Sequence, residues 1–388
     1  MLRFLTAGES HGPGLTAILE GMPAGLPLNG EDVDRHLRRR QKGFGSGGRM
    51  RIEKDKVRFT GGVMNGRTTG APIAMQLENR DWANWRDKEI TPMTIPRPGH
   101  ADLTGSIKYG YRELRLALER ASARETAARV AVGGVCQRLL AEFGVSVGCY
   151  VVQIGPVTAA LSPELPYEAR FAQAEESEVR CPVPEASEAM LETIRAAMSA
   201  RDTLGGVFEV VALGVPPGLG SHVHWDRRLS GRLMAAVGSV QAIKGVEIGP
   251  AFANAKLCGT QIHDEIFLEA ERLVRYTNRA GGLEGGITTG QPLLVRAAMK
   301  PISTTLTPLR SVDLATGAAG ETRYERSDIC AVPRAAVVGE AMVAIVLADA
   351  LLEKLGGDSL DEIRPRFDAL RQGRLDELEM DNVNWRFS

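Results

Sequence analysis

Two histidines stand in glycine-bounded turns of this 388-residue chain: His11 within Gly8-Glu9-Ser10-His11-Gly12, and His100 directly after Arg97-Pro98-Gly99. Imidazole can hand over a proton near neutral pH, and neighbouring glycines let the backbone come close to a ligand. Arginines accompany both turns, at Arg97 and in Arg120-Ala121-Ser122-Ala123-Arg124-Glu125-Thr126. A guanidinium group adds charge and bidentate hydrogen bonding to phosphate or carboxylate. The combination predicts a site for a strongly anionic small molecule at which protons are moved.

Further segments bear on that site. Residues 35–60 hold ten Lys/Arg against two acids, a block that is either an anion site or solvated surface. Within it, Gly43-Phe44-Gly45-Ser46-Gly47-Gly48 matches G-x-G-x-x-G. A basic run precedes it and a strand-like stretch follows, the reverse of a strand–turn–helix dinucleotide site. It reads as a flexible basic loop that orders over an anion, or as plain surface. Ser122 with Glu125 has the spacing of a capping box, and a helix start there would offer N–H groups to phosphate. Asp328, in Arg326-Ser327-Asp328, precedes an apolar stretch that would hold it rigidly. Lys300-Pro301-Ile302-Ser303-Thr304 offers a cation, two hydroxyls and turn amides, a reasonable flavin cradle. His222 and His224 have H-x-H spacing without a third ligand nearby and are assigned to a loop, so no metal is expected.

The elements that must position these residues are legible in outline. Helices are expected over 122–143, 229–243 and 334–355, and strands over 57–60, 73–77, 145–154, 207–213 and 293–298. The order is neither regular β-α alternation nor all-β, and it predicts an α+β fold of antiparallel sheets on a helical layer. Residues 157–200, rich in Pro and Glu, read as a surface excursion. A faint repeat pairs Gly21–Leu26 and Thr68–Ile73 with Gly214–Leu219 and Thr288–Leu293, suggesting two similar halves within one domain over 1–388. Hydrophobic content of 44%, charged content of 24% and a net charge of -1 fit a soluble globular protein, not a bulk polyanion binder. The five cysteines are scattered without C-x-x-C spacing. No signal peptide is expected, and the apolar stretch 335–352 contains Glu340 and Asp349, favouring a buried helix over a membrane span. A cytoplasmic location is expected.

Eight segments, 8–12, 38–43, 97–102, 120–126, 239–249, 285–291, 300–304 and 326–328, resemble those of chorismate synthases, in the same order. The resemblance implies a β-α-β sandwich, a homotetramer, and elimination of phosphate from 5-enolpyruvylshikimate 3-phosphate with reduced FMN (FMNH2), although substrate and product do not differ in oxidation state. It implies His11 as the acid at the departing phosphate, His100 as the histidine near the flavin, and Asp328 as the acid assisting ring-proton removal. FMN contacts carried over are Arg120, Ala121, Ser122, Gln241, Ala242, Gly285, Lys300, Pro301, Ile302, Ser303, Thr304 and Arg326. Ser10, Arg40, Arg49, Arg97 and Arg124 are expected at the phosphate and carboxylates of the substrate or at NADP. Ser46 stands where relatives often carry arginine, and Arg49 is the candidate replacement. NADPH is a candidate reductant. Two other readings compete. An FMN oxidoreductase fed by a nicotinamide lacks a credible dinucleotide motif, and a nucleic-acid binder on the 35–60 block lacks stacking aromatics beyond Phe44 and Phe59.

Overall fold

Alternation along Gly14–Glu20 buries Leu15, Ala17 and Leu19, and along Ile73–Glu78 it buries Ile73, Met75 and Leu77. Side chains of a strand point to opposite faces in turn, so each of these strands presents one apolar face to a core. A computed structural model describes the chain except residues 48–51, 326 and 388. In it, four antiparallel strands pair in the order Arg3–Ala7, Gly14–Glu20, Ile73–Glu78, Val57–Gly61. A second antiparallel sheet runs Ile243–Ile248, Leu293–Met299, Gly206–Leu213, Ser146–Ile154, Val157–Thr158.

Two helices connect the sheets. Thr126–Ala141 packs on the first, Val332–Leu355 packs on the second, and the two helices pack on each other. A Cβ on Gly133 would lie 2.4 Å from the Cβ of Ala341, so only glycine permits this approach. Helix Val332–Leu355 is long and apolar enough to cross a membrane, yet 94% of its most apolar stretch is buried within the protein. The architecture is α+β with antiparallel sheets.

The repeat seen in the sequence folds as a repeat. Thr68 Oγ1 donates to Pro23 O (2.6 Å) and accepts from Leu26 N (3.0 Å). Thr288 Oγ1 donates to Pro216 O (2.7 Å) and accepts from Leu219 N (2.8 Å). The strand order of the first sheet also recurs, with Ser146–Ile154, Gly206–Leu213, Leu293–Met299 and Ile243–Ile248 in the corresponding places. Gly30–Gln41 and Leu229–Gly238 are the matching helices.

Four expectations need correction. Residues 157–200 contain helices Tyr167–Glu176 and Pro184–Ser199, the second with its proline in the first turn, where the missing N–H costs nothing. The helix expected over 229–243 ends at Gly238, and Ile243 opens a strand. Ser122 does cap Arg124 N, but the Glu125 carboxylate bonds Thr6, Arg129 and Gln241, so no capping box closes. A 3-10 turn, Ala123–Glu125, precedes helix Thr126–Ala141. Arg120 lies at the end of the preceding helix, Arg115–Ala121, and donates to Thr6.

Candidate active site

The turn Gly8–Gly12 joins the first two strands and is clamped from two sides. Asn79 Nδ2 donates to the carbonyls of Glu9, Ser10 and Gly12. On the other side, helix Arg115–Ala121 presents Glu119, whose carboxylate accepts from Ser10 Oγ (2.6 Å), His11 N (2.8 Å) and His11 Nδ1 (2.9 Å). The imidazole also lies against Trp85, ring centroids 4.1 Å apart. Burial opposes ionisation of Glu119, but the bonds from His11 and Ser10 outweigh it and hold the carboxyl down at about 2. A carboxylate accepting at Nδ1 fixes the tautomer and leaves Nε2 as the working nitrogen.

His100 is built on the same plan. Its Nδ1 lies 2.5 Å from Asp102 Oδ1, at the start of helix Asp102–Tyr109. Asp102 also receives Arg97 through Nε (2.8 Å) and Nη2 (3.0 Å). Burial pushes the Asp102 carboxyl up, but His100 and Arg97 hold it well below the usual carboxylate range.

Both histidines line one cavity of about 810 Å³, within the roughly 300–1,000 Å³ usual for small-molecule sites. Its wall draws on both halves of the repeat: Ser10, His11, Arg40, Arg97, His100 and Ala121–Arg124 from the first, Gln241, Ala242, Lys300, Ile302–Thr304 and Asp328 from the second. Ala242 adopts a left-handed backbone (φ +66°), a conformation that concentrates at ligand sites. Lys300 Nζ donates to Gly99 O (2.9 Å), tying the cradle to the His100 turn. The described part of the glycine loop is not free. Ile329 N donates to Gly45 O, Gly47 N donates to Asp328 Oδ1 (2.8 Å), and a Cβ on Gly47 would meet Ser327 O at 2.7 Å. The loop therefore orients Asp328, together with Arg334 Nη1 on its other oxygen (2.6 Å).

Not every expected residue lies on this wall. Arg120, Gly285, Pro301 and Ser46 stand outside the cavity lining. Gly285 is exposed in the turn between Leu283–Glu284 and Ile287–Thr288, and Arg120 is taken by Thr6. Arg49 and Arg326 lie outside the described residues. Three arginines expected to face the substrate line the cavity but spend most of their donors internally. Arg40 bonds Thr126, Asp55 and Ala123 O, Arg124 bonds Asn79 and Asp55, and Arg97 bonds Asp102 and Thr304. Burial, with Arg124 and Arg334 nearby, brings Arg40 down to about 10 against the pull of Asp55.

Arg334 is different, and sequence reading took it only as a helix start. Its Nε and Nη2 are buried without a partner among the described residues, as is Gln241 Oε1. Unsatisfied buried groups of this kind are rare and call for a ligand or ordered water. Two donors on one guanidinium edge suit an oxyanion, and a buried amide oxygen suits an N–H of a heterocycle. Leu118, Val240, Met299 and Val338 add apolar wall for a planar ring. The donor set fits FMN beside an anionic substrate.

The family model described as chorismate synthase matches residues 2–352. The chain belongs to the chorismate synthase family. It is 55% identical to the chorismate synthase of Aquifex aeolicus, over 95% of this chain and 96% of that protein. It is 56% identical to that of Syntrophotalea carbinolica, over 95% and 97%. A solved structure titled as the crystal structure of chorismate synthase superposes with a TM-score of 0.78 at 48% identity, covering 95% of this chain and 96% of that one. As a chorismate synthase, the protein is a carbon–oxygen lyase of chorismate biosynthesis, in the shikimate pathway. Glu119 and Arg334 lie outside the sequence motifs, and Asp102 closes the segment 97–102 without having been given a role there.

Proposed function

We propose that the cavity eliminates phosphate in the 1,4-anti sense from 5-enolpyruvylshikimate 3-phosphate, giving chorismate, with reduced FMN beside the substrate. The meeting of two carboxylate-anchored histidines with Asp328 and the unsatisfied edge of Arg334 in one cavity carries this reading. The His11 Nε2 proton passes to the phosphate oxygen as the ring C–O bond breaks, so the leaving group departs with less developing charge. Asp328 assists removal of the ring proton as the C–H pair becomes the new π bond. The C–O pair leaves with phosphate, and no net oxidation occurs. Arg334 holds a substrate carboxylate through Nε and Nη2, while Arg40, Arg97 and Arg124, paired with Asp55 and Asp102, line the wall beside it. Ser122, Gln241, Ala242, Lys300, Ile302, Ser303 and Thr304 would hold FMN, with His100 beside it. Reduced FMN, when bound, supplies redox-neutral assistance to ring-proton removal.

The same reading treats residues 1–388 as one domain, a β-α-β sandwich, assembled as a homotetramer in the cytoplasm. The shared helix pair and a cavity walled by both halves support the single domain. NADPH is the reductant to compare with a chemical one.

Asp328→Asn tests the proton-removal assignment. Turnover is expected to fall by about 10²- to 10⁴-fold, with a larger deuterium isotope effect from substrate deuterated at the departing ring hydrogen. Wild-type turnover and isotope effect would refute the role.

A further inference from the structure

The two histidine–carboxylate pairs share a plan and differ in charge. Asp102 is matched by a bidentate Arg97 guanidinium, so the Arg97–Asp102 pair presents little net charge to His100. Glu119 has no such partner. Its three close bonds come from a hydroxyl, a backbone N–H and the His11 imidazole. The nearest cation in contact with it is Arg115, at 3.5 Å, and Arg115 is shared with Glu325, also at 3.5 Å. The imidazole also meets Ser10 Oγ, 3.1 Å from Nδ1, and the Trp85 ring that packs on it, over which Lys88 Nζ and the Arg115 guanidinium lie 5.3 and 5.4 Å from the centroid. The Glu119 carboxylate therefore faces His11 Nδ1 at 2.9 Å with Arg115, at 3.5 Å, as its longer cationic contact.

We infer that Glu119 is the positioning residue that holds His11 in its proton-donating form. The inference rests on His11 being the acid at the departing phosphate. Glu119 touches neither substrate nor flavin in this account. It fixes the ring through Nδ1, directs Nε2–H to the cavity, and stabilises the imidazolium until its proton moves. Ser10 has a part in this. Its hydroxyl is spent on Glu119, 2.6 Å away, and its backbone N–H on Glu119 O, 3.1 Å away, so it locks the carboxylate to the turn. Asp102, paired with Arg97, orients His100 through Nδ1.

Glu119→Gln keeps the size and one acceptor and removes the charge. In anaerobic phosphate-release assays with reduced FMN, kcat is expected to fall by about 10- to 100-fold. The alkaline limb of the kcat–pH profile should move to lower pH, because the donating form is lost earlier without the carboxylate. KM and flavin affinity should stay at their wild-type values. A wild-type kcat, or a reduced kcat with the alkaline limb unmoved, would overturn the role, since a merely structural residue would not shift the profile. His11→Ala, run in parallel, separates the two levels. If it retains turnover, the assignment of His11 fails. If it loses turnover while Glu119→Gln matches wild type in kcat and pH profile, only the role of Glu119 fails. Should Glu119→Gln not fold, proton NMR of the wild-type protein labelled with 15N-histidine decides. A far-downfield Nδ1–H at His11 supports the pair, and its absence contradicts it.

Discussion

His11→Ala lowers turnover by about 10²- to 10⁴-fold, the usual contribution of a positioned general acid, while flavin affinity stays at the wild-type value. The separation follows from where the side chain is anchored. His11 is held by Glu119 and by the Trp85 ring, on the turn between the first two strands. The residues proposed to hold FMN lie on Ser122, the Gln241–Ala242 turn and Lys300–Thr304, none of which bonds to His11. Removing the imidazole therefore removes the proton donor and leaves the flavin wall intact. Single-turnover phosphate release and a fluorescence titration with FMN check both halves. An equal loss in both would mean that His11 organises the cavity and does not act on the substrate. Undiminished turnover would remove it from the chemistry.

Arg39→Met destabilises the fold by about 3–5 kcal/mol at neutral pH, the cost of leaving a buried charge without its partner. Arg39 grips Glu340 through Nη1 (2.5 Å) and Nη2 (2.8 Å), in the middle of the central helix Val332–Leu355. Glu340 is fully buried, and it also meets Gln137 Nε2, 3.0 Å away, and the Cys149 thiol. His36 stands 3.8 Å from it, but burial, the largest influence on it, brings it down to about 4 against the pull of Glu340, so it is a poor substitute cation at neutral pH. Burial pushes the Glu340 carboxyl up, Arg39 outweighs it, and the group is held at about 2, below its ordinary 4.5. A depressed carboxyl stabilises the fold above its unfolded value and loses that contribution as pH falls from 4.5 towards 2. In Arg39→Met the unpaired carboxyl instead takes up a proton readily, so the gap between wild type and variant narrows towards acid pH. Urea unfolding at neutral and mildly acid pH measures it. A gap that stays constant would mean that lost packing, not charge, is the cause.

Much of the frame was legible because short-range rules decide it. The strand-like run 73–77 is the strand Ile73–Glu78 and the apolar run ending at glycine is the central helix, whereas the strand Gly14–Glu20 was not anticipated. The threonines of the repeated Thr-Thr-Gly motif bond to matching turns, as the echo suggested. Residues 157–200 were read as a surface excursion from their Pro and Glu content, whereas at a helix start proline does no harm, and Pro184 opens the helix Pro184–Ser199. The histidine turns were legible, but their anchors were less so. Glu119 reaches His11 across a separation of 108 residues, and only the packing of helix Arg115–Ala121 on the turn brings it there. Counting arginines overstated what the cavity can offer a substrate, because Asp55, Asn79 and Asp102 occupy Arg40, Arg124 and Arg97 from within. Arg334 was passed over for the opposite reason. Nothing in its immediate sequence says that its Nε and Nη2 lack partners.

The most direct test of the account is anaerobic phosphate release from 5-enolpyruvylshikimate 3-phosphate, measured in parallel with chemically reduced and with oxidised FMN. Release with reduced flavin alone is the predicted result, and it would establish elimination and its flavin dependence together. Equal release with oxidised flavin, or none with either while the folded protein binds FMN, would contradict the proposed chemistry.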